Sequence, residues 1–237
     1  MRDAGASATV SGWSVVEMER LSGCVDRVIR HVRRDDIAIT GGIAIQFGLA
    51  ALGCSGCRTS IADLDLVAVR LDAVASSVSE QFLISHYHVP EPGFPKFMVQ
   101  LVDPISRIRV DIFPDLVGSI GNAWSFTIGE QPVNVLGLRS ILDHKCLTIS
   151  KASPTRPVDP KHDHDARALA AIMGREVPTA PAGSFVKDVF GGEADRACPR
   201  CETSRNPRFP LAPKDQIFDL LGWPRAAQAA AGSDAQN

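Results

Sequence analysis

Three aspartates stand in two hydrophobic segments whose composition favours β-strands. Asp63 and Asp65 flank a leucine at the start of the first segment, and Asp111 lies between a valine and an isoleucine in the second. Because side chains two residues apart in a strand point to the same face, Asp63 and Asp65 are expected to lie side by side. If Asp111 lies on a neighbouring strand, three carboxylates converge. Such a site holds hard cations such as Mg²⁺ (or Mn²⁺) and supports phosphoryl chemistry.

A glycine pair precedes these acids along the chain. Thr40, Gly41 and Gly42 open an apolar segment with helical character. Glycine lets backbone N–H groups approach an anion closely, and the dipole of a following helix favours negative charge at its N-terminus. The segment therefore predicts a phosphate-binding turn. Each of these short patterns is common by itself, but their order and their predicted elements favour a functional site.

Together the acids and the glycines favour nucleotidyl transfer. In this reaction a hydroxyl attacks the α-phosphate of a nucleoside triphosphate (NTP) and pyrophosphate leaves. Two metal ions can hold the attacking and leaving oxygens, and carboxylates hold the metals. In this interpretation Asp63 and Asp65 bind Mg²⁺, while Asp111 completes the metal site or acts as the base for the hydroxyl. Gly41 and Gly42 contact the phosphates.

The spacing of apolar residues predicts the elements that must position this site. Asp72 is expected to cap the N-terminus of a helix that follows it. Helices are predicted over 13–34, 42–52, 73–84, 138–149, 163–173 and within 209–223, with an extended loop over 153–160. Strands are predicted over 37–40, 62–70, 97–102 and 107–113, with a hairpin or edge strand over 117–135 and a turn near residues 129–130.

These elements predict an α+β fold: a mixed sheet with flanking helices, then a small helical segment and a cysteine-bearing C-terminal tail. The 237 residues, 45% of them hydrophobic, suffice for one sizeable core and a smaller appendage. We expect a core over 13–135, a helical segment completing the site over 136–175, and a loop-rich extension over 176–224. The small and polar ends, 1–12 and 225–237, are expected to be disordered.

Composition restricts the partners. The formal net charge of −2 and the pI near 6.3 give no overall basic character, so an RNA partner would need a local patch. No secretory segment and no long apolar run is present, which predicts a soluble, cytoplasmic protein without a membrane partner. Six arginines could supply a patch, although solvated surface charge is the favoured interpretation: Arg30, Arg33, Arg34, Arg196, Arg200 and Arg205.

Four short segments carry a family resemblance: Thr40–Ala44, Arg58–Ser60, Asp63–Leu66 and Val110–Ile112. As a set they resemble the nucleotidyltransferase superfamily with the polymerase-β-like fold, and most closely the minimal bacterial nucleotidyltransferases of the AbiEii toxin type. The resemblance spans roughly residues 37–170, by the reach of these motifs. It implies a nucleotidyltransferase-like sheet, an NTP substrate and a Mg²⁺ cofactor.

The resemblance also implies roles for individual residues. In that family the glycine motif and the following Ser or Thr contact the triphosphate, which assigns nucleotide binding to Thr40, Gly41, Gly42, Arg58 and Ser60. A lysine in the helix over 138–149 reaches the triphosphate, which points to Lys145; a solvent-facing lysine is the alternative. Lys161 and Asp165 match the start of the following helix, where acids could instead serve the helix dipole. A toxin role with an antitoxin partner, and tRNA, protein or a small molecule as acceptor, is implied as well.

Two cysteine pairs have the spacing of zinc ligands. Cys54 with Cys57, and Cys198 with Cys201, could together hold one structural Zn²⁺, because a two-residue spacer lets both thiolates grip one tetrahedral ion. The separation between the pairs leaves two unrelated pairs as the alternative. Cys24 and Cys146 are expected to be small core residues.

The histidines give weaker signals. His144, His162 and His164 are residues of a type that could bind zinc. Surface histidines are the favoured interpretation, because His162 and His164 are two positions apart and do not share a helix face. His86 and His88 receive no role, since nothing acidic or cysteinyl stands beside them in the sequence.

Two other functions remain open. A non-catalytic, zinc-stabilised nucleotide-binding or interaction module on the same fold would retain the site without turnover. A metal-dependent phosphodiesterase is also built on carboxylates, but histidines are missing from the acidic motifs and such sites usually mix both ligands.

Overall fold

A single mixed β-sheet organises the computed structural model, which describes residues 12–54, 60–90, 96–186 and 209–222. Seven strands of these ranges pair in the order β3-β4-β5-β2-β1-β7-β6. Their bounds are β1 (Ile37–Ile39), β2 (Asp63–Ala68), β3 (Leu83–His88), β4 (Met98–Val102), β5 (Arg109–Pro114), β6 (Trp124–Ile128) and β7 (Gln131–Val135).

The same ranges contain five α-helices, so the predicted α+β class is confirmed. They are α1 (Val15–Ile29), α2 (Gly41–Ala51), α3 (Leu138–Ser150), α4 (Lys161–Met173) and α5 (Lys214–Leu221). The described chain falls into two units, one holding the sheet with α1, α2 and α5, and the other holding α3 and α4 from Gly137 onward. None of these helices is long and apolar enough to cross a membrane.

The central strands bring distant segments of the chain together. β2 runs antiparallel to β1 and parallel to β5, and β1 runs parallel to β7. The two predicted hairpins are confirmed: β4 pairs antiparallel with β5, and β6 pairs with β7 through a two-residue turn. Gly129 in that turn adopts a φ of +61°, which favours glycine.

The two faces of the sheet differ in chemistry. Val25 and Val28 of α1 line one small apolar space together with Leu64 and Leu66 of β2. All four side chains are almost fully buried. Since side chains alternate along a strand, Asp63 and Asp65 project from the opposite face.

An ion pair attaches α1 to the turn between β4 and β5. Asp103 is fully buried and accepts hydrogen bonds from the Arg27 guanidinium, the Ser106 hydroxyl and the Ile105 N–H. Although burial alone would raise the pKa of Asp103, these hydrogen bonds hold it below its ordinary value. Arg20, two helical turns before Arg27 on α1, donates to the Ser106 carbonyl oxygen.

The predicted helix over 73–84 with Asp72 as its cap is wrong. Two short 3₁₀ turns, Leu71–Ala73 and Ser76–Glu80, occupy this region, and β3 follows. Backbone pairing explains the difference, because the Ala75 N–H donates to the His31 carbonyl oxygen at 2.7 Å and extends the chain there. Asp72 instead pairs with arginines of neighbouring segments. Serines within the segment also favour turns over an α-helix.

The segment 209–222 covers the β3 edge of the sheet. Phe209 is buried and stacks edge-to-face on Tyr87, with ring centroids 4.7 Å apart. The Ala212 N–H donates to the Ile84 carbonyl oxygen at 2.8 Å. The helix predicted within 209–223 is thus confirmed as α5.

In the second unit the two predicted helices are confirmed, and α4 begins two residues before its predicted start. The Asp159 carboxylate accepts the N–H of Lys161, the first residue of α4, at 2.8 Å. The connection between the helices contains no α-helix or strand, as predicted for the loop over 153–160.

Several predictions concern residues outside the described ranges. These include the disordered ends apart from Gly12, and the following side chains: Cys57, Arg58, Cys198, Cys201, Arg196, Arg200 and Arg205.

Candidate active site

The parallel pairing of β2 with β5 places Asp111 beside Asp65. The two residues are direct Cα partners in this register, and Asp63 pairs in the same way with Arg109. Residues that pair directly across neighbouring strands project to the same face of the sheet. Asp63, Asp65 and Asp111 therefore share one face, opposite the face that packs against α1.

The N-terminus of α2 abuts the Asp65 side chain. The Thr40 N–H donates to the Asp65 carbonyl oxygen at 2.9 Å, which fixes the end of β1 against β2. Gly41 begins α2 with a φ of +65°, and a Cβ atom there would lie 2.0 Å from Asp65 Oδ2. Glycine is thus required at position 41 both by backbone conformation and by contact with the carboxylate.

Replacement of Gly41 by alanine is expected to lower the activity of this site by about 100-fold, because the added methyl group must displace the Asp65 carboxylate by more than an ångström. Gly53→Ala is the matched control, since Gly53 has a similar φ of +71° but open space around the position of a Cβ. Initial rates of both purified variants and their melting temperatures check this expectation. Equal initial rates in the two variants would contradict the role of Gly41.

Asp111 is the most deeply buried of the three acids. Its residue is 4% exposed, and its Oδ1 atom is buried without a hydrogen-bond partner. Burial raises the pKa of Asp111, and the charge of Asp63 adds to this effect, while Arg109 and a hydrogen bond from Gln100 oppose it. A carboxylate with a raised pKa and an unused lone pair is suited to accept a proton or a cation.

Arg109 is a site residue that the sequence analysis missed. Its Nη2 atom lies 3.1 Å from Asp111 Oδ2 and 3.6 Å from Asp63 Oδ2. The guanidinium group therefore stands between two of the three carboxylates. Its position two residues before Asp111 in a strand was the available signal, because that spacing places both side chains on one face.

The donor set fits a hard divalent cation. Carboxylate oxygens are the ligands that Mg²⁺ and Mn²⁺ prefer, and the unpartnered Oδ1 of Asp111 is a buried acceptor. Within the described ranges, no three His, Cys, Asp or Glu side chains stand close enough to hold a metal ion as they are arranged. Arg109 forms ion pairs with Asp63 and Asp111, so a bound cation would compete with its guanidinium for these two carboxylates.

The second unit contains a buried ion pair at two predicted positions. Lys145 Nζ of α3 lies 2.9 Å from Asp165 Oδ2 of α4, and the two residues are 7% and 8% exposed. The alternative of a solvent-facing lysine is therefore wrong. Burial, together with the charges of Lys145 and Lys161, lowers the pKa of His162 to about 4.

The remaining predicted positions lie in different surroundings. Thr40 precedes α2 without a side-chain hydrogen bond to it, Gly42 lies in the first turn, and Ser60 is exposed before β2. Cys54 is an exposed free thiol, and with its three partner cysteines outside the described ranges the zinc site stays a prediction. Cys24 is a core residue as expected, and burial raises its pKa to about 12.

Comparisons with known proteins give limited information. No protein-family model matches the chain, and no curated protein matches it. A nucleotidyltransferase-like antigen from Paracoccidioides brasiliensis is similar in structure over 71% of this chain and 81% of its own, with 20% identity and a TM-score of 0.36. JHP933 from Helicobacter pylori is similar in structure over 92% of this chain and 98% of its own, with 12% identity and a TM-score of 0.37. These scores and identities are low, so the function must be inferred from the chain's own residues.

Proposed function

We propose that this protein is a Mg²⁺-dependent nucleotidyltransferase that moves a nucleoside monophosphate from an NTP to an acceptor hydroxyl. One observation carries the proposal: the Asp65 carboxylate lies between the N-terminus of α2 and Asp111 of the neighbouring strand. A phosphate-binding helix end and a set of carboxylates are thereby adjacent on one face of the sheet. Phosphoryl transfer requires these two features together.

The position of each residue in the site suggests its role in this reaction. Asp63, Asp65 and Asp111 would hold Mg²⁺, which supplies charge neutralisation for the phosphates when it is bound. The backbone N–H groups at the start of α2, at Gly41 and Gly42, bind phosphate oxygens. The alternative role of Asp111 is that of proton acceptor for the attacking hydroxyl, for which its buried Oδ1 atom, without a hydrogen-bond partner, is suited.

The finer assignment follows the motifs. Further contacts with the nucleotide are proposed for six residues of the motifs: Thr40, Arg58, Ser60, Lys145, Lys161 and Asp165. Membership of the AbiEii-like group, with a toxin role, an antitoxin partner and a tRNA, protein or small-molecule acceptor, belongs to the same proposal. A structural Zn²⁺ on the cysteine pairs is a further part of it.

Arg109 gives a prediction about the metal. Replacement by methionine, which keeps an unbranched apolar side chain but removes the charge, is expected to tighten Mg²⁺ binding several-fold, because the cation no longer competes with the guanidinium for Asp63 and Asp111. Isothermal titration calorimetry with MgCl₂ and a non-hydrolysable NTP measures this affinity. Arg107→Met, an exposed arginine two residues earlier, is the control. Weaker Mg²⁺ binding in Arg109→Met would contradict the competition.

A transfer assay tests the proposed function. The purified protein is incubated with each α-labelled NTP, MgCl₂ and a cell lysate, beside an Asp63→Asn variant. Label that reaches RNA, protein or a small molecule only with the intact protein supports transfer and identifies the acceptor class. Tight binding of NTP without any transfer would instead support the non-catalytic binding module.

A further inference from the structure

The carboxylate-bearing face of the sheet continues as a polar row onto β4 and β3. Gln100 of β4 is the direct partner of Asp111, and His86 of β3 is the direct partner of Gln100. With Asp65 beside Asp111, four polar side chains cross four strands in register. Because direct partners share a face, the row reaches from the α2 side of the site to β3.

A hydrogen bond from β3 holds Gln100 in the middle of this row. A β-bulge between Ile84 and His86 allows the Ser85 hydroxyl to donate to Gln100 Oε1 at 3.0 Å. Gln100 is also the direct strand partner of Asp111, and its side chain acts to lower the pKa of that carboxyl. Gln100 therefore links the acidic site to the region of β3.

Two imidazoles form the far end of the row. His86 Nε2 and His88 Nδ1 are 3.1 Å apart, and their rings meet nearly at right angles with centroids 5.2 Å apart. Both side chains are partly exposed, and Tyr87 between them is buried on the other face. The sequence analysis gave these histidines no role, because only the strand register, through Gln100, places them in one row with Asp111.

The geometry of the reaction indicates which end of this row faces the attacking hydroxyl. In an in-line displacement the attacking oxygen and the leaving pyrophosphate lie on opposite sides of the α-phosphorus. In the proposed function the phosphates bind at the N-terminus of α2, which adjoins Asp65. The attacking hydroxyl must then approach from the side of Asp111 that faces β4 and β3.

The charge along the face changes in the same direction. β2 and β5 contribute Asp63, Asp65 and Asp111, whereas the positions of β3 and β4 on this face are two imidazoles, a glutamine and a methionine. None of these described β3 and β4 side chains is acidic, and Lys96 lies just before β4. An anionic group is therefore repelled less near β3 than near β2. Two strand spacings separate His86 from Asp111, which is about 10 Å.

We propose that His86 and His88 form an acceptor subsite that binds a phosphate group of the hydroxyl-bearing substrate, about 10 Å from the hydroxyl that reacts. The inference rests on the proposed function and assigns the acceptor class within it. The phosphate belongs either to the 3′-terminal part of a polynucleotide or to a free nucleotide. A protein acceptor without phosphate does not fit this subsite.

The double variant His86→Asn/His88→Asn tests the proposal in two measurements. With an α-labelled NTP, the KM for a short RNA with a free 3′-hydroxyl, or for a nucleoside 5′-monophosphate, is expected to rise at least about 10-fold. The kcat and the affinity for a non-hydrolysable NTP with Mg²⁺ are expected to stay unchanged. Response of the RNA alone, or of the nucleotide alone, identifies the source of the phosphate. His164→Asn, an exposed histidine of α4, is the control.

The second measurement is independent of turnover. Equilibrium binding of the same RNA and nucleotide to the wild-type protein, with the non-hydrolysable NTP present, is expected to weaken by a similar factor in the double variant. If the wild-type protein transfers nothing, the proposed function fails, while loss of binding in the double variant still supports the subsite. Unchanged KM and binding, absence of binding to wild type, or labelling of unphosphorylated protein alone would overturn it.

Discussion

Replacement of Asp65 by asparagine is expected to reduce nucleotidyl transfer at least about 1,000-fold while leaving the fold intact. Asparagine keeps the size of the side chain beside Gly41 but removes the negative charge that a metal ligand needs. The carboxylate also stands where the α2 N-terminus and Asp111 adjoin, so the change removes the acid that connects these two parts of the site. Steady-state transfer rates and circular dichroism of the purified variant measure the two parts of this expectation.

A matched control separates site chemistry from general loss of charge. Asp72→Asn removes a carboxylate from the same unit, at an exposed position that pairs with Arg33 and Arg70. We expect this variant to retain full transfer. Asp63→Asn and Asp111→Asn are expected to behave like Asp65→Asn. Retention of more than about a tenth of the transfer rate in all three would contradict the assignment of the acids to a metal site.

Replacement of Asp103 by alanine is expected to have the largest effect on stability, a loss of about 3–5 kcal/mol in the free energy of unfolding. Asp103 is fully buried, and its removal leaves the Arg27 guanidinium and the Ser106 hydroxyl without their shared acceptor. The attachment of α1 to the β4–β5 turn is lost with it. Urea denaturation followed by circular dichroism measures the change.

The pH dependence of this effect has a defined sign. The folded-state pKa of Asp103 lies below its ordinary value, so its ionisation stabilises the fold above the unfolded-state pKa of about 4. That contribution is lost as the pH falls through the folded-state pKa. The difference between wild type and variant should therefore be greatest near neutral pH and smaller in acid. Asp26→Ala, which removes the half-buried partner of the exposed Arg30 and of Gln131, is expected to cost less, about 1 kcal/mol. Equal losses in the two variants would show that the buried pair contributes little.

Features of the fold that depend on nearby residues were predicted correctly from the sequence. The alternation around Asp63 and Asp65, and the hairpins from β4 to β5 and from β6 to β7, follow from spacing and turn residues that are close together in the chain. The helix predicted over 73–84 failed because Val74 and Val78 are buried at a helical spacing while the intervening backbone pairs with His31. Apolar spacing alone does not separate an α-helix from successive 3₁₀ turns.

The contacts that define the site were not available from the sequence. The pairing of Asp65 with Asp111 joins strands that lie far apart in the chain, and such a register depends on the whole sheet. Arg109 and His86 became candidates only when that register placed them on the acidic face. The contact between Gly41 and Asp65 belongs to the same class, because it depends on where β1 ends against β2.

The location of the metal tests the central claim most directly. Anomalous diffraction from crystals grown with Mn²⁺ and a non-hydrolysable NTP would show each bound Mn²⁺ as a distinct peak. We predict a peak within about 2.2 Å of carboxylate oxygens of Asp63, Asp65 and Asp111, with the triphosphate at the N-terminus of α2. A nucleotide and metal bound away from these three residues would contradict the account.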